Sequence, residues 1–325
     1  MQPLVHPGPK TQPRIIVRPV HTKRAVCELT GGRPLIEQLH ETLAALGADS
    51  GFAELHGGNY APLSYCIPDV ATAEKALSFS ETRTHDRAHL IYGSVTLGLR
   101  DAAQYMHSHC FWQAPGGALE GGHVWLETES DATPPIAVVT AVFGAQWRSA
   151  TDPETKMPVF TPEEPTNRSE PTNRSEPTNR SERSIPMQTE STPRAVAADP
   201  HGASDTVIAR VLPNIDITDA LLRVCRDAGF DRASVRAGLG SFVGATFIDR
   251  ASGERTVIDG PATEVIALIG DVRRIDGELA ARLSCTLVDR HGEIRAGELV
   301  PGENLVAATF ELTVQRLDAP IVVVS

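Results

Sequence analysis

The pattern of apolar and polar residues predicts two strand–helix units, one in each half of the chain. In the first unit, a short strand over Val26–Glu28 leads into a helix from Pro34 to Leu46. In the second, a strand over Val207–Leu212 leads into a helix over Ile217–Ala228. Apolar residues share one face of each helix: Leu35, Leu39, Leu43 and Leu46 in the first, and Leu221, Leu222 and Cys225 in the second. We expect that face to pack against a sheet.

The two halves also resemble one another along their length. Each half closes with β-rich sequence, over Ile136–Phe143 and Leu305–Val314. Residues at matching places are Gly58 and Gly240, Cys110 and Cys285, Gly117 and Gly292, and Gly122 and Gly297. Such internal matching is typical of a repeated domain. We expect an α+β protein of two repeated α/β sandwich domains, each built on a mainly antiparallel sheet with one packed helix.

A segment of low complexity separates the two halves. The hexapeptide PTNRSE occurs three times in succession from Pro165 to Glu182. Such a stretch cannot bury enough apolar surface to offset the entropy of ordering it. The predicted organisation is a basic lead-in arm with the first strand over residues 1–24, a first domain over 25–160, a disordered linker over 161–205 and a second domain over 206–325. The arm carries no acidic residue and is expected to be mobile.

Composition narrows the function classes. The chain has 325 residues, 41% of them apolar, which suits two ordinary cores. With 30 basic against 41 acidic residues, the net charge of −11 disfavours nonspecific binding to nucleic acid. The chain lacks a run of about 18 apolar residues and a secretion signal, so we expect a cytoplasmic protein that does not enter a membrane. Its five scattered cysteines fit reduced, mostly buried thiols.

Histidine is concentrated in the first half, where nine of the 11 precede residue 124. His107 and His109 lie two apart in a predicted strand over Gln104–Trp112, so their side chains leave the same face of the sheet. A Gly-rich turn and a return strand over Leu119–Glu127 bring His123 opposite His109. Three converging imidazoles can hold Zn²⁺ or a similar divalent metal with a coordination position left open. The alternative is three partly exposed histidines on a polar sheet face.

Four further residues of the first half are candidates for roles around this site. Tyr105 and Trp125 fall on the same strand face as the histidines and would line the pocket. A catalytic site would also need a general base within hydrogen-bond reach. The candidates are His56, in a Gly-rich loop, and Glu120, beside the glycines that precede His123. Alternation along the strand turns Glu120 away from the metal unless a bulge reverses it.

The order of these motifs resembles the plants-and-prokaryotes conserved domain, abbreviated PPC or PCC. The matching features are Leu55-His56-Gly57-Gly58-Asn59, a strand that ends in Gly93-Ser94-Val95, His107-Ser108-His109 and Gly121-Gly122-His123. The resemblance covers both halves and implies an α/β sandwich on an antiparallel sheet. It also implies a homo-oligomer, commonly a trimer, and a metal held by His107, His109 and His123. Prokaryotic members are often named as DNA-binding proteins, and plant members carry AT-hooks.

The second half departs from this pattern at the site. The positions aligned with the three histidines are Arg282, Ser284 and Glu298, which cannot replace three neutral imidazoles around zinc. The second domain is therefore expected to be a metal-free structural partner with a degenerate site. The alternative is that Arg282 and Glu298 form a new site for an anion or an amine.

Three functions remain open from the sequence. The first is metal-dependent sensing or turnover of a small metabolite by hydrolysis, hydration or proton transfer, since an open three-histidine site polarises a carbonyl and activates water. The second is a DNA-associated transcriptional regulator, as the family's names suggest. The acidic body and the lack of an AT-hook or a helix-turn-helix motif argue against direct DNA binding. The third is a non-catalytic structural oligomer.

Overall fold

Strands make up most of the structure, a computed structural model that describes residues 1–69, 76–165, 194–196 and 204–317. The PTNRSE repeats beyond Pro165 and most of the predicted linker lie outside these residues. Two helices occur in the described chain, and neither is long and apolar enough to cross a membrane. Almost every strand pair is antiparallel, so the predicted mainly antiparallel sheet is confirmed.

The elements follow one another in two groups. The described part of the first half has α1 (Leu35–Leu46) and the strands β1 (Ile15–Glu28), β2 (Gly51–His56), β3 (Asn59–Tyr60), β4 (Leu63–Cys66), β5 (Pro68–Asp69), β6 (Ser78–Phe79), β7 (Arg83–His85), β8 (Ala88–Arg100), β9 (Ala103–Gln113), β10 (Leu119–Val124), β11 (Ile136–Phe143), β12 (Gln146–Thr151) and β13 (Pro158–Glu163). The remainder has α2 (Ile217–Asp227) and the strands β14 (Arg194–Val196), β15 (Thr206–Val211), β16 (Arg232–Phe242), β17 (Ala245–Ile248), β18 (Arg255–Ile258), β19 (Thr263–Ile275), β20 (Glu278–Val288), β21 (Ile294–Leu299) and β22 (Val306–Arg316).

The first half is built on one sheet with α1 against it. Its strands run in the order β1–β11–β2–β8–β9–β10–β4–β7, each antiparallel to its neighbour. At the side of this sheet β12 pairs in parallel with β8 and antiparallel with β13. The helix buries Leu35, Leu39 and Leu43 completely in the core of this half. It ends at Gly47, whose φ of 87° is a left-handed conformation that favours glycine.

The second half has the same kind of sheet. Its strands run in the order β15–β22–β16–β19–β20–β21–β17–β18, and every neighbouring pair is antiparallel. Helix α2 buries Leu221 and Val224 in a separate core. The Asp216 carboxylate caps this helix, because it accepts hydrogen bonds from Thr218 N at 2.9 Å and from Asp219 N at 3.1 Å.

Strand β1 is much longer than predicted and belongs to both sheets. Residues 15–20 pair with β15, and residues 21–28 pair with β11. The chain ahead of it is also held, because Leu4 N donates to Asn214 Oδ1 at 2.7 Å and His6 Nε2 lies 3.0 Å from Ala307 O. Residues 1–24 thus contain most of the first strand, and the segment ahead of it makes contacts with the second half. The physical reason is that the backbone groups at the edges of β11 and β15 need partners, which β1 supplies.

The predicted linker also contains strand structure at both ends. Strand β13 continues to Glu163, beyond the expected boundary at residue 161, and pairs along its whole length with β12. Strand β14 lies inside the expected linker and pairs with Arg24–Val26 of β1. Pairing with an existing strand edge requires only backbone N–H and C=O groups, and a segment with polar side chains has these groups as well.

A small apolar cluster and a buried ion pair join the halves. The cluster takes residues from both sides: Val20, Val142, Ala145, Trp147, Phe160 and Ile208. Beside it, Arg210 Nη2 of the second half donates to Asp152 Oδ2 of the first at 2.6 Å, with both side chains almost completely buried. All five cysteines are free and four are buried, as predicted. The halves are therefore docked through apolar contact, a shared strand and a buried charge pair.

Candidate metal centre between the two halves

The β9–β10 hairpin brings three histidines together. His107 and His109 leave the same face of β9, and β10 pairs His123 directly opposite His109. The ring centroids lie 4.7 Å apart for His107 and His109, 5.2 Å for His107 and His123, and 5.3 Å for His109 and His123. Cys110 and Trp112 alternate to the other face and are fully buried in the core. The alternation of side chains along the strand thus places the histidines on one face and the core residues on the other.

A carboxylate from the second half joins this cluster. Glu264 lies on β19, and its carboxylate contacts His109 Nε2. One ligand atom from each of His107, His109, His123 and Glu264 lies within 4.8 Å of the others, so the cluster could hold a metal ion. His109 and Glu264 are both buried. The sequence did not identify Glu264 as a site residue, because its place depends on how the halves dock.

Hydrogen bonds set the protonation of two of the rings. His109 Nδ1 lies 2.8 Å from the carbonyl oxygen of Val265, and His107 Nδ1 lies 2.9 Å from the Glu311 carboxylate. Both partners only accept, so each Nδ1 carries a proton and each Nε2 is the atom left to bind a second proton or a metal ion. The two Nε2 atoms face each other at 3.1 Å. A proton or a cation is needed between two nitrogen atoms at this distance, because two unprotonated nitrogens would repel each other.

Burial and neighbouring charges shift the pKa values of His123 and His107. The pKa of His123 lies well below its usual value, because burial and then the charges of His107 and His109 disfavour the protonated ring. Burial also lowers the pKa of His107, but the adjacent Glu311 carboxylate outweighs it and the net pKa is raised. His123 is therefore a neutral imidazole at neutral pH, whereas a proton competes more strongly for His107.

A cavity of about 380 Å³ opens on this cluster at the junction of the halves. His107, His123 and Glu264 form one end of it. Tyr105 and Trp125, the two residues expected to line the pocket, lie on its wall. A molecule inside the cavity can therefore reach the same atoms that could hold a metal ion. Cavities of this size, lined mainly by apolar groups with a few polar ones, are typical of small-molecule sites.

The structure does not bring the two candidate bases, His56 and Glu120, to the cavity. Glu120 pairs with Trp112 on β10, and its carboxylate accepts from Tyr65 Oη at 2.9 Å and contacts His85 Nε2 at 2.7 Å. No bulge interrupts this hairpin register, so alternation turns Glu120 away from the histidines. His56 ends β2 in an exposed position, with its ring against Tyr92 at 5.3 Å. Glu264 is the carboxylate that reaches the site instead.

The aligned positions of the second half form a closed ion pair. Arg282 Nη2 donates to Glu298 Oε2 at 2.8 Å, and Arg250 contacts the other carboxylate oxygen. The hydrogen bond from Arg250, followed by that from Arg282, lowers the pKa of Glu298. Ser284 pairs with Glu298 across the strands. Because Glu298 is already neutralised and the Arg282 side chain is 62% exposed, this face does not have the convergent, buried groups of the first half.

Gly122 permits a close approach of strands beside His123. A Cβ at this position would lie 2.3 Å from the carbonyl oxygen of Cys66 on β4. We expect Gly122→Ala to push β10 away from β4, to lower the free energy of unfolding by about 1–3 kcal/mol and to weaken metal binding, because His123 moves with the strand. Urea unfolding and zinc titration measure the two effects.

Gly121→Ala is the matched comparison. Its Cβ would meet Ile294 Cδ1 at 2.7 Å, which is the movable end of a side chain, with the Cys110 carbonyl oxygen at 3.0 Å. We expect a smaller loss of metal affinity than for Gly122→Ala. Equal affinities for zinc in the Gly122→Ala variant and the unaltered chain would contradict the strand-shift argument.

Comparison with known proteins gives one family match. Residues 199–318 match the family model of the Plants and Prokaryotes Conserved (PCC) domain. The match covers the half that carries Glu264 and Glu311 and does not extend over residues 25–160. No curated protein matches the chain.

Solved structures with some likeness include proteins from archaea and a bacterium. A plant- and prokaryote-conserved protein from Pyrococcus horikoshii is 22% identical, with a TM-score of 0.30, covering 34% of this chain and 77% of its own. A metal-containing protein from Archaeoglobus fulgidus is 17% identical, with a TM-score of 0.36, covering 45% and 98%. A protein from Ralstonia eutropha, named as a candidate for DNA binding, is 13% identical, with a TM-score of 0.34, covering 42% and 89%.

Proposed function

Because the chain contains a PCC domain over residues 199–318, we propose that the first half is a diverged second copy of the same domain. The strand orders support this. The series β1–β11–β2–β8–β9–β10–β4–β7 and β15–β22–β16–β19–β20–β21–β17–β18 correspond strand by strand, and one helix follows the first strand of each. Cys110 and Cys285 occupy matching strands, β9 and β20, and both are buried. The chain is then a tandem repeat of two α/β sandwich domains.

We further propose that His107, His109 and His123 hold a divalent metal ion, with zinc as the best fit. The observation that carries this is the distance of 3.1 Å between the Nε2 atoms of His107 and His109, in a cluster shared with His123 and the Glu264 carboxylate. Three imidazole nitrogens with one further position match the ligand set of catalytic zinc sites. Glu311 and the Val265 carbonyl hold the rings from behind, as the outer partners of metal-bound histidines usually do.

The function that this arrangement supports best is metal-dependent chemistry on a small molecule held in the cavity. When bound, such an ion supplies Lewis acidity. Glu264 lies at the cavity end beside His107 and His123 and is 4% exposed, so its carboxylate can take a proton from a bound molecule and return it. Glu311 keeps the proton on His107 Nδ1 and so holds that ring in place. The reaction classes are hydrolysis, hydration or proton transfer.

The second half then has a larger role than the structural one expected from the sequence. This half supplies Glu264, the Val265 carbonyl and Glu311, so it contributes directly to the site. The trimeric assembly implied by the family resemblance stays a prediction, as does the absence of direct DNA binding.

Elemental analysis and a chromogenic ester assay test the proposal together. We expect about one zinc ion per chain, and none in a His107→Ala/His109→Ala double variant. We expect Glu264→Gln to retain most of the metal and to lose about 100-fold or more of any hydrolysis of 4-nitrophenyl acetate. Metal that is absent from the purified protein, or unchanged in the double variant, would end the metal proposal. Full hydrolysis in the Glu264→Gln variant would remove Glu264 as the base.

A further inference from the structure

The cavity beside the histidine cluster has several polar groups at its wall. Among them are the indole Nε1–H of Trp125, the hydroxyl of Ser149 and the ammonium group of Lys156. The Trp125 Nε1 and Ser149 Oγ atoms are buried and have no hydrogen-bond partner. Ser149 is 5% exposed, so its hydroxyl cannot turn to bulk water. Buried donors without partners are uncommon in folded proteins, and here two of them line one cavity.

Lys156 is presented at this cavity by a turn that is anchored on both sides. The turn is closed by hydrogen bonds from Lys156 N to Asp152 O at 2.9 Å and from Asp152 N to Met157 O at 2.8 Å. The Asp152 carboxylate is held by Arg210 of the second half. Glu154, in the same turn, accepts a hydrogen bond from Arg14 Nη2 at 3.1 Å. The lysine is therefore placed by the docking of the two halves.

The lysine itself has features of a ligand-binding residue. Its φ of 59° lies in the left-handed region, which a side chain such as lysine adopts at a cost. Within the described residues it forms no ion pair, and it is the one lysine or arginine among the residues that line the cavity. Backbone strain of this kind clusters at functional positions. The side chain is exposed, so its ammonium group is free to donate a charge-assisted hydrogen bond to an anion in the cavity.

We propose that this cavity binds a small organic acid, with its carboxylate at Lys156 and its apolar body along the aromatic wall. This rests on the proposed function and names the ligand class of the same site. The body would lie against Phe79, Trp125 and Phe160, and its far end would reach His107, His123 and Glu264. The buried Glu264 carboxylate repels a second anion, so the acid group points toward the lysine. A volume of about 380 Å³ is near the lower end of the usual range for ligand pockets and suits roughly ten non-hydrogen atoms.

Calorimetric titration with phenylacetate tests this ligand class. The full chain is titrated with phenylacetate, with the neutral phenylacetamide and with acetate, which lacks the apolar body. We expect phenylacetate to bind about tenfold or more tightly than either control compound, because the charge-assisted hydrogen bond and the apolar contacts are both needed. Trp125 lies on the wall, so quenching of tryptophan fluorescence provides a second readout. Equal affinity for the acid and its amide would overturn the proposal.

Variants of the lysine separate binding from folding. Lys156→Met and Lys156→Gly should each weaken phenylacetate binding about tenfold. Glycine adopts the positive φ without strain, so Lys156→Gly should remain at least as stable as the unaltered chain. Lys23→Met is the matched control, since Lys23 lies over the Phe143 ring and does not line the cavity. Binding by Lys156→Gly as tight as that by Lys23→Met would refute the role of Lys156.

The titrations are run on both zinc-loaded and metal-free protein. Lysine-dependent binding of phenylacetate in protein that takes up no zinc would support the organic-acid site and contradict the proposed metal function. Zinc binding without any phenylacetate binding would support the proposed metal function and contradict the organic-acid site. Lysine-dependent binding that tightens when zinc is present would support both.

Discussion

Zinc is expected to raise the free energy of unfolding of this chain by about 4 kcal/mol at a free concentration roughly one thousand times its Kd. The reason is that the three histidines converge only when the β9–β10 hairpin is folded, and the groups that support them, Glu264 and the Val265 carbonyl, reach them only when the second half is docked. A metal ion that binds this state and not the unfolded chain stabilises it by mass action. Urea unfolding followed by circular dichroism, with and without zinc, measures the increase.

The His109→Ala variant is expected to lose the whole of this increase. His109 is completely buried, contacts Glu264 and is tied to Val265, so its ring is the link between the histidine hairpin and the second half. His56→Ala is the control, because His56 is an exposed histidine outside the cluster and should keep the full effect. An equal zinc effect in both variants would show that the metal binds elsewhere.

The histidine hairpin could be predicted because its geometry is local. A spacing of two along a strand places His107 and His109 on one face, and a Gly-rich turn determines which residue of the return strand lies opposite. The predicted pairing of His123 with His109 is the one the structure has. The same alternation predicted the positions of Tyr105 and Trp125. Each of these inferences spans fewer than about twenty residues and needs only the period of a strand.

Glu264, Glu311 and Lys156 could not be predicted in the same way. Their places depend on the docking of the two halves, and the hydrogen bond from His109 to Val265 spans 156 positions of sequence. No periodic pattern carries information over such a distance. The long first strand was missed for a related reason, since residues 15–20 pair with β15 of the other half. The sequence pattern of each half predicts the fold of that half but not the surface where the two halves meet.

The candidate site draws its groups from both halves. In the second half, Arg282 and Glu298 form an ion pair and Ser284 lies across the strands from Glu298, so these groups are not free to converge on a metal ion. The buried groups that the second half does contribute, Glu264 and Glu311, contact His109 and His107 of the first half. The cluster of four candidate ligands is therefore complete only when the two halves are docked.

Breaking the buried ion pair between the halves is expected to be the most destabilising single change outside the two cores. Arg210→Met should lower the free energy of unfolding by about 3–5 kcal/mol, because it leaves the Asp152 carboxylate buried without its charged partner. The variant should also weaken phenylacetate binding, since the Asp152 turn presents Lys156. Urea unfolding and the calorimetric titration give the two readouts.

Acid provides an independent check on the same pair. Burial raises the pKa of Asp152, but hydrogen bonds from the Thr155 backbone and from Arg210 outweigh it, so the pKa in the folded chain lies below the unfolded value. The stabilisation is therefore present above the unfolded pKa, about 3.9, and is lost as the pH falls through the lower folded value.

The double variant Asp152→Leu/Arg210→Met should recover much of the stability, because it leaves no buried charge. A single Arg210→Met variant that unfolds at the same urea concentration as the unaltered chain would show that the pair does not hold the halves together.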